Sequence, residues 1–253
     1  MFITIEGPEG AGKSTVARQL HARLVREGCP ALLTYEPGGT DLGQRIREFV
    51  RHGVGRGCGP NSPTPFSPGG DLRLTGEGGT LSPPRAGEGL GERSAQLVPR
   101  AETLLFCAAR AQLVDEVLRP HLRAGGVVIC DRYADSTLAY QCYGRGLPLA
   151  PVRAVLAFAT GGLWPDLTIL LDVDVGEGLR RKREGGDEAR ADRFESQAIE
   201  FHARVRQGYL ELAAADLQRW VVVDASRPLD QVVADAWEQI ERRLQIEAGG
   251  TQR

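Results

Sequence analysis

A chain of 253 residues with 42% hydrophobic and 25% charged residues has the length and composition of one soluble domain with a large core. Its formal net charge of −2 gives no reason to expect nucleic acid or an anionic membrane as a partner, so any phosphate binding must be local. The five cysteines are odd in number and form no C-x-x-C pair, which argues against a zinc site or a disulfide framework and favours the cytoplasm.

The amino-terminal part alternates strands and helices. We predict strands over residues 2–5 and 31–34, and helices over 13–26 and 41–50. Because the first strand begins at once and no apolar run reaches membrane-spanning length, we expect neither a signal peptide nor a membrane segment.

The next segment has a different composition. Between residues 51 and 98 there are twelve glycines and six prolines, with few large apolar side chains. Such a segment cannot bury enough surface to offset the entropy of ordering it. We therefore predict that residues 52–97 are a disordered insertion within a single domain spanning residues 1–253.

Regular structure is predicted again after the insertion. Helical periodicity and short β-branched runs predict helices over 99–118, 151–158, 178–212 (interrupted near 185–186) and 229–244, and strands over 127–130, 167–173 and 220–223. Strands that alternate with helices indicate an α/β fold with a central parallel sheet and helices on both faces.

The turn between the first strand and the first helix carries the most specific motif. Gly7 to Ser14 fits G-x-x-x-x-G-K-[ST], so backbone N–H groups and the helix dipole can face phosphate oxygens. Lys13 can reach the β- and γ-phosphates, and the Ser14 hydroxyl can bind Mg²⁺. A chance match in a glycine-rich turn is the alternative. We predict a P-loop NTPase fold that binds ATP through Gly7, Pro8, Glu9, Gly10, Ala11, Gly12, Lys13, Ser14 and Thr15.

A second polar group follows the predicted strand 127–130. Asp131 and Arg132 lie at its carboxyl end, where open α/β sheets bind ligands. Asp131 could organise Mg²⁺ or a sugar hydroxyl, and Arg132 could hold a phosphate with two hydrogen bonds. A purely structural Asp–Arg pair is the alternative. A GTPase is not expected, because the only asparagine is Asn61 and no N-K-x-D motif exists.

Five motifs in order resemble those of bacterial thymidylate kinases. They occupy residues 5–15, 36–40, 104–110, 131–133 and 136–141, and segments 165–168 and 172–173 add to them. The match covers nearly the whole chain except residues 51–98. The resemblance implies ATP-dependent phosphorylation of dTMP to dTDP in dTTP biosynthesis, with Mg²⁺ accompanying ATP, and a homodimer.

The resemblance also implies how the thymine and the sugar are held. Phe106 stacks on the base, Arg110 forms a hydrogen bond to it, Thr137 and Gln141 lie near its edge, and Tyr140 lies against the sugar C2′. Phe106 alone could be ordinary core, but Arg110 lies one helical turn later on the same face, where an arginine needs a partner. Tyr140 and Gln141 could instead cap a helix or face solvent.

The acceptor phosphate has its own implied residues. Arg132 and Arg47 grip the phosphate of dTMP, Asp131 and Glu36 lie beside the metal and the acceptor, and Glu9 contacts the sugar. Arg47 could be a surface residue, as could the neighbouring Arg45. Many bacterial relatives have an arginine where this chain has Tyr35, so the role of that arginine is in doubt here.

A basic run with two following glycines predicts a closing lid over residues 180–196. Phosphoryl transfer depends on positioning and charge stabilisation, which lid arginines can supply. In the resembled family, a phosphate loop that lacks an arginine goes with arginines from the lid, and this loop has Glu9. We predict Arg183 as a catalytic residue together with Lys13, Asp131 and Arg132. A solvated charged helix is the alternative.

The remaining functional alternatives are a kinase for another nucleotide or nucleoside and a non-catalytic nucleotide-binding relative. Rates with dTMP, dUMP, dCMP and thymidine separate the first from a dTMP kinase, and any turnover excludes the second.

Overall fold

A computed structural model describes residues 1–52, 97–184 and 199–250. Five strands form one sheet in the order β2-β3-β1-β4-β5, and every neighbouring pair is parallel. The strands are β1 Phe2–Glu6, β2 Ala31–Tyr35, β3 Val127–Asp131, β4 Leu167–Asp172 and β5 Trp220–Asp224. The predicted parallel sheet is therefore confirmed, and each predicted strand matches an observed one to within a residue at either end.

Helices connect the strands. In chain order they are α1 Lys13–Arg26, α2 Asp41–His52, α3 Pro99–Leu113, α4 Arg119–Arg123, α5 Ala134–Thr137, α6 Leu149–Thr160, α7 Val175–Glu184, α8 Ile199–Ala215 and α9 Leu229–Gly250. Two π-helical segments also occur: Val114–Leu118 joins α3 to α4, and Leu138–Gly144 continues α5. The helical stretch formed by α5 and the π-helical segment that continues it, residues 134–144, was not predicted from the sequence. None of the helices in the described ranges is long and apolar enough to cross a membrane.

The core lies on both faces of the sheet. One apolar cluster joins α1 and α9 to the sheet through buried residues such as Leu20, Leu24 and Trp237. The other joins α3, α6 and α8 to the opposite face, with Leu156 and Tyr209 fully buried. Because both faces are covered, β1 can be apolar along most of its length, and all of its residues are buried.

The strand order determines where a site can form. β1 lies at the centre of the sheet, between β3 and β4, and β3 also pairs with β2. The register places Asp131 opposite both Ile5 and Tyr35, so the carboxyl ends of these three strands meet. The chain leaves β1 towards one edge of the sheet and later returns towards the other, which is the position where open α/β sheets bind ligands.

Two predicted segments lie mostly outside the described residues. The predicted insertion, 52–97, has only its end residues within the described ranges, and the predicted lid, 180–196, is described only to Glu184. The helices that flank the insertion contact each other, with Ile46 and Val50 of α2 packed against Ala109 of α3.

Candidate functional site

A cavity of about 640 Å³ opens at the carboxyl ends of β1, β2 and β3. Its volume suits a ligand of nucleotide size. The predicted site residues that line it are Glu9, Gly10, Gly12, Lys13, Ser14, Thr15, Glu36, Arg47, Phe106, Arg110, Asp131, Arg132, Thr137, Tyr140 and Gln141. Gly7, Pro8 and Ala11 belong to the same loop without lining the cavity, and Arg183 does not line it either.

The phosphate loop is fixed by close backbone contacts. At Gly10, φ is 71° and an added Cβ would lie 1.8 Å from the carbonyl oxygen of Gly178, so only glycine fits. The Nζ of Lys13 donates to the carbonyl oxygen of Pro8 at 2.7 Å. Burial, followed by the charge of Arg132, lowers the pKa of Lys13 to about 8. Phosphate oxygens in this loop would offset both effects by adding negative charge.

Glu9 of the phosphate loop gathers three donors from different parts of the chain. Its Oε1 accepts from Arg132 Nη2 and from the Tyr140 hydroxyl, both at 2.7 Å. Its Oε2 accepts from Lys182 Nζ at 2.8 Å. Burial alone would raise the pKa of Glu9, but Arg132, Lys13 and Lys182 outweigh burial and hold the pKa well below its usual range. The ionised carboxylate therefore keeps these cations in the cavity.

Arg132 has an unusual backbone. Its φ of 70° makes it the one non-glycine residue with positive φ in the described part of the chain. A side chain in this left-handed region costs about 1–3 kcal/mol, and such residues cluster at functional sites. The guanidinium contacts Glu9, the Tyr140 hydroxyl at 3.1 Å and Ser136 Oγ at 3.3 Å. The structure thus turns Arg132 into the cavity at the cost of backbone strain.

Ser14 and Asp131, two predicted metal-binding residues, are in direct contact. The Ser14 hydroxyl donates to Asp131 Oδ2, while Asp131 Oδ1 is buried and has no hydrogen-bond partner among the described residues. A buried carboxylate oxygen without a partner is costly unless a ligand or water satisfies it. This oxygen and the adjacent hydroxyl are the types of ligand that Mg²⁺ prefers.

Glu36 forms a buried ion pair with Arg110. Arg110 Nε and Nη2 donate to Glu36 Oε2 at 2.9 and 2.6 Å, and Nε also reaches Oε1 at 3.2 Å. Glu36 is 7% exposed and Arg110 is 2% exposed. Burial raises the pKa of Glu36 more than Arg110 lowers it. Because both carboxylate oxygens face Arg110, the predicted contact of Glu36 with a metal stays a prediction, and the observed role of Glu36 is to hold Arg110.

One side of Arg110 is left for a ligand. Nη2 also donates to the carbonyl oxygen of Tyr133 at 3.1 Å, whereas Nη1 is buried and finds no hydrogen-bond partner in the part of the chain that the structure describes. Phe106, one turn earlier on α3, lines the same cavity. An aromatic ring beside an unsatisfied guanidinium N–H offers stacking and a hydrogen bond to a planar base with carbonyl groups.

The amide of Gln141 has a defined orientation. Its Nε2 donates to Glu102 Oε1 at 3.1 Å, and Glu102 is itself fully buried and paired with Arg145 at 2.9 Å. Because the amide nitrogen faces Glu102, the amide oxygen of Gln141 is turned away from that carboxyl group. Tyr140 and Gln141 are both buried and line the cavity, so neither faces solvent as the alternative allowed, and Thr137 is buried at the same cavity.

Arg47 and Tyr35 lie together at the cavity wall. The Arg47 guanidinium lies 5.3 Å from the centre of the Tyr35 ring, and Nη1 donates to the carbonyl oxygen of Pro37 at 3.3 Å. Arg45 is exposed and does not line the cavity. Of the two arginines, the structure therefore places Arg47 at the site.

The basic side chains near the end of α7 point in different directions. Lys182 enters the cavity and contacts Glu9, whereas Arg181 donates to the carbonyl oxygens of Ala225 at 2.7 Å and Ser226 at 3.3 Å. Arg183 is exposed, and among the described residues its Nε donates to the carbonyl oxygen of Leu179 at 3.3 Å. The catalytic lid residue predicted from the sequence was Arg183, and Lys182 was not among the predicted site residues. The catalytic role of Arg183 stays a prediction.

Glu6 is a second residue that the sequence reading missed. It ends β1 and is completely buried under the site. Burial, and then the charge of Asp135, raises the pKa of Glu6 to about 7. A carboxylate that ends a mostly apolar strand just before Gly7 was the available signal.

Comparison with known proteins points to one family. The sequence model of thymidylate kinase matches residues 5–55 and 86–236, leaving out 56–85. A thymidylate kinase of Deinococcus radiodurans is 44% identical over 243 residues, covering 96% of this chain and 97% of the relative. One from Thermomicrobium roseum is 45% identical, covering 93% and 91%.

A solved structure supports the fold independently. The crystal structure of thymidylate kinase from Ehrlichia chaffeensis superposes with a TM-score of 0.64 and covers 95% of this chain and 98% of that one. At 24% identity this similarity bears on the fold alone, and it confirms the predicted P-loop NTPase architecture.

Proposed function

The chain belongs to the thymidylate kinase family, and from this we propose that it transfers the γ-phosphoryl group of ATP to the 5′-phosphate of dTMP, giving dTDP and ADP for nucleotide biosynthesis. The observation that carries the proposal is a single cavity that combines a phosphate loop with Arg132 and with the pair Phe106 and Arg110.

The donor side is assigned to the phosphate loop. Backbone N–H groups from Gly10 to Ser14, at the start of α1, would cradle the β-phosphate, and Lys13 would exchange its bond to Pro8 for the donor phosphates. Phosphoryl transfer needs little covalent participation by protein groups, so catalysis here rests on positioning and charge.

The acceptor side is assigned to the opposite wall. Arg132 and Arg47 would bind the dTMP phosphate, and Phe106 would stack on the thymine. The unsatisfied Nη1 of Arg110 would donate to a carbonyl oxygen of the base. Gln141 would present its carbonyl oxygen to the base N3–H, since its amide nitrogen already faces Glu102.

Glu9 and Lys182 connect the two sides. Glu9 holds Arg132 and Lys182 in place before a ligand binds. When phosphates enter, Lys182 can release Glu9 and turn towards the oxygens that gain charge in the transition state. We assign this role to Lys182 because of its position in the cavity. It would act in addition to the contribution predicted for the lid arginines.

Mg²⁺ is the expected companion of ATP. Ser14 Oγ and Asp131 would hold it, and the buried Oδ1 of Asp131 is a suitable oxygen without another partner. Bound there, the ion would neutralise charge on the β- and γ-phosphates.

A coupled assay of ADP release tests the proposed function. We expect turnover with dTMP, much slower turnover with dCMP and none with thymidine, which lacks the acceptor phosphate. Loss of a charge-assisted bond is worth about 1.5–3 kcal/mol, so Arg132→Ala should lower kcat/KM for dTMP by roughly tenfold to a hundredfold. Arg47→Ala should act in the same direction, with Arg45→Ala as the matched control. If another nucleotide were phosphorylated as fast as dTMP, the assignment of dTMP as the substrate would be wrong.

A homodimer and a cytoplasmic location are further expectations. Leu104 on α3 and Phe158 on α6 are 57% and 89% exposed, on helices that pack against each other, and an apolar surface of this kind suits a subunit contact. The four cysteines in the described ranges are free thiols, as in a reducing compartment. Light scattering of the wild type and of Phe158→Glu tests the dimer.

The domain boundaries are also proposed. The unmatched residues 56–85 of the family comparison support an insertion in one kinase domain. Replacing residues 55–94 with a short Gly/Ser linker should leave dTMP turnover within a few-fold of wild type, because loop length has only a logarithmic entropy cost. Unfolding or inactivity of this variant would mean that the segment is part of the fold.

A further inference from the structure

We infer that Glu6 is a positioning residue for Arg132: its carboxylate fixes the backbone that turns Arg132 into the acceptor pocket. This inference rests on the proposed role of Arg132 at the dTMP phosphate. Glu6 itself does not line the cavity and would not touch either nucleotide.

The backbone on both sides of Arg132 is pinned to β1. The N–H of Arg132 donates to the carbonyl oxygen of Ile5 at 3.0 Å. The next N–H, that of Tyr133, donates to Glu6 Oε1 at 2.7 Å. These two bonds orient the peptide groups before and after the Arg132 Cα, and so they hold its φ at 70°.

The other oxygen of Glu6 supports the guanidinium. Oε2 accepts from Ser136 Oγ at 2.6 Å and from the Tyr209 hydroxyl at 2.9 Å. Ser136 Oγ in turn accepts from Arg132 Nη1 at 3.3 Å. One buried carboxylate therefore holds both the main chain after Arg132 and the hydroxyl beside its side chain.

Burying a carboxylate under the site is unfavourable, so the presence of Glu6 there points to a role for the hydrogen bonds that it accepts. The side chain is completely buried, and no lysine or arginine forms an ion pair with it among the described residues. A strained residue persists only where surrounding contacts determine its conformation. Glu6 supplies such a contact. Because its strand, β1, leads directly into the phosphate loop, the same strand supports the acceptor site and the donor site.

Two conservative variants separate the reach of Glu6 from its charge. Glu6→Gln keeps the chain length and an oxygen for the Tyr133 N–H, whereas Glu6→Asp keeps the charge but is one methylene too short. We expect kcat/KM for dTMP within about threefold of wild type for Gln and at least about tenfold lower for Asp, with KM for ATP nearly unchanged in both. Tyr209→Phe removes one donor from the same cluster and leaves the Tyr133 bond, so it is the matched control.

A double-variant cycle shows whether Glu6 acts through Arg132. In the Arg132→Ala background the tenfold effect of Glu6→Asp should shrink to less than about twofold, because no guanidinium remains to be positioned. Independent, multiplying effects would overturn the inference, as would a larger loss for Gln than for Asp or equal losses for ATP and dTMP. Turnover of dTMP by the wild type and its loss in Arg132→Ala test the proposed function separately. A negative result for the Glu6 variants alone would therefore overturn this inference and leave the proposed function standing.

Discussion

The buried pair of Glu36 and Arg110 gives a stability prediction that can be worked from the structure. Glu36→Leu removes both oxygens that hold the guanidinium and leaves its charge in a position that is 2% exposed. Removing one partner of a buried pair costs about 3–5 kcal/mol. At about 2–4 °C per kcal/mol for a chain of this size, Tm should fall by roughly 6–20 °C.

The double variant gives the opposite expectation. When both partners of a buried pair become apolar, no charge is left uncompensated, and the change is close to neutral or stabilising. Glu36→Leu combined with Arg110→Leu should therefore recover most of the stability that the single variant loses. The exposed pair Arg23 and Glu27 is the control, since Glu27→Leu should cost about 0–1 kcal/mol.

Equilibrium unfolding in urea measures all of these variants, with the free energy extrapolated to water. A loss below about 1 kcal/mol for Glu36→Leu would refute the reasoning, as would a double variant no more stable than the single one. The same series bears on the predicted metal contact. If Glu36 binds Mg²⁺ instead of serving Arg110, Glu36→Leu should raise the Mg²⁺ concentration needed for half-maximal turnover and Arg110→Leu should not.

Three further predictions concern charges at the site. Lys182→Gln should lower kcat by about tenfold or more, as loss of a charge-assisted contact implies, while Arg183→Gln stays near wild type; the reverse order would restore the lid arginine as the catalytic group. Lys13→Ala should abolish turnover while dTMP still binds in calorimetry, and retention of a tenth of the rate would refute its role. Burial raises the pKa of Glu6 to about 7, so between pH 4.5 and about 7 this carboxyl group is protonated in the folded state but ionised in the unfolded state. The free energy of unfolding therefore falls as the pH rises through that window. The Tm of Glu6→Gln minus that of wild type should therefore increase over the same window, and a constant difference would contradict the assigned ionisation.

The fold was largely predictable because its signals are local. The buried strands are short apolar runs, and Gly7 to Ser14 forms a motif whose spacing alone defines a phosphate loop. The parallel sheet then follows from the alternation of strands and helices. Residues 134–144 were the exception, since nearly every residue of the π-helical segment from Leu138 is buried and the segment lacks clear helical periodicity.

The site was less predictable where it depends on tertiary geometry. Consecutive basic residues in α7 look alike in the sequence, and only the rotation of that helix against the phosphate loop brings Lys182 in and leaves Arg183 in solvent. Glu6 was not predicted as a site residue because its hydrogen-bond donors are distant in sequence, Tyr209 being the farthest. The pairing of Glu36 with Arg110 likewise joins residues 74 positions apart.

The scarcity of lysine has a practical consequence for chemical labelling. The whole sequence contains only two lysines, Lys13 and Lys182, and both line the same cavity beside Glu9. An acylating reagent that is selective for amines therefore has the N-terminus and this pocket as its only targets. With its pKa lowered to about 8, Lys13 carries an appreciable neutral, nucleophilic fraction near pH 7.5. Covalent modification should consequently report nucleotide occupancy directly, with ATP shielding two amines and leaving the α-amino group as an internal reference.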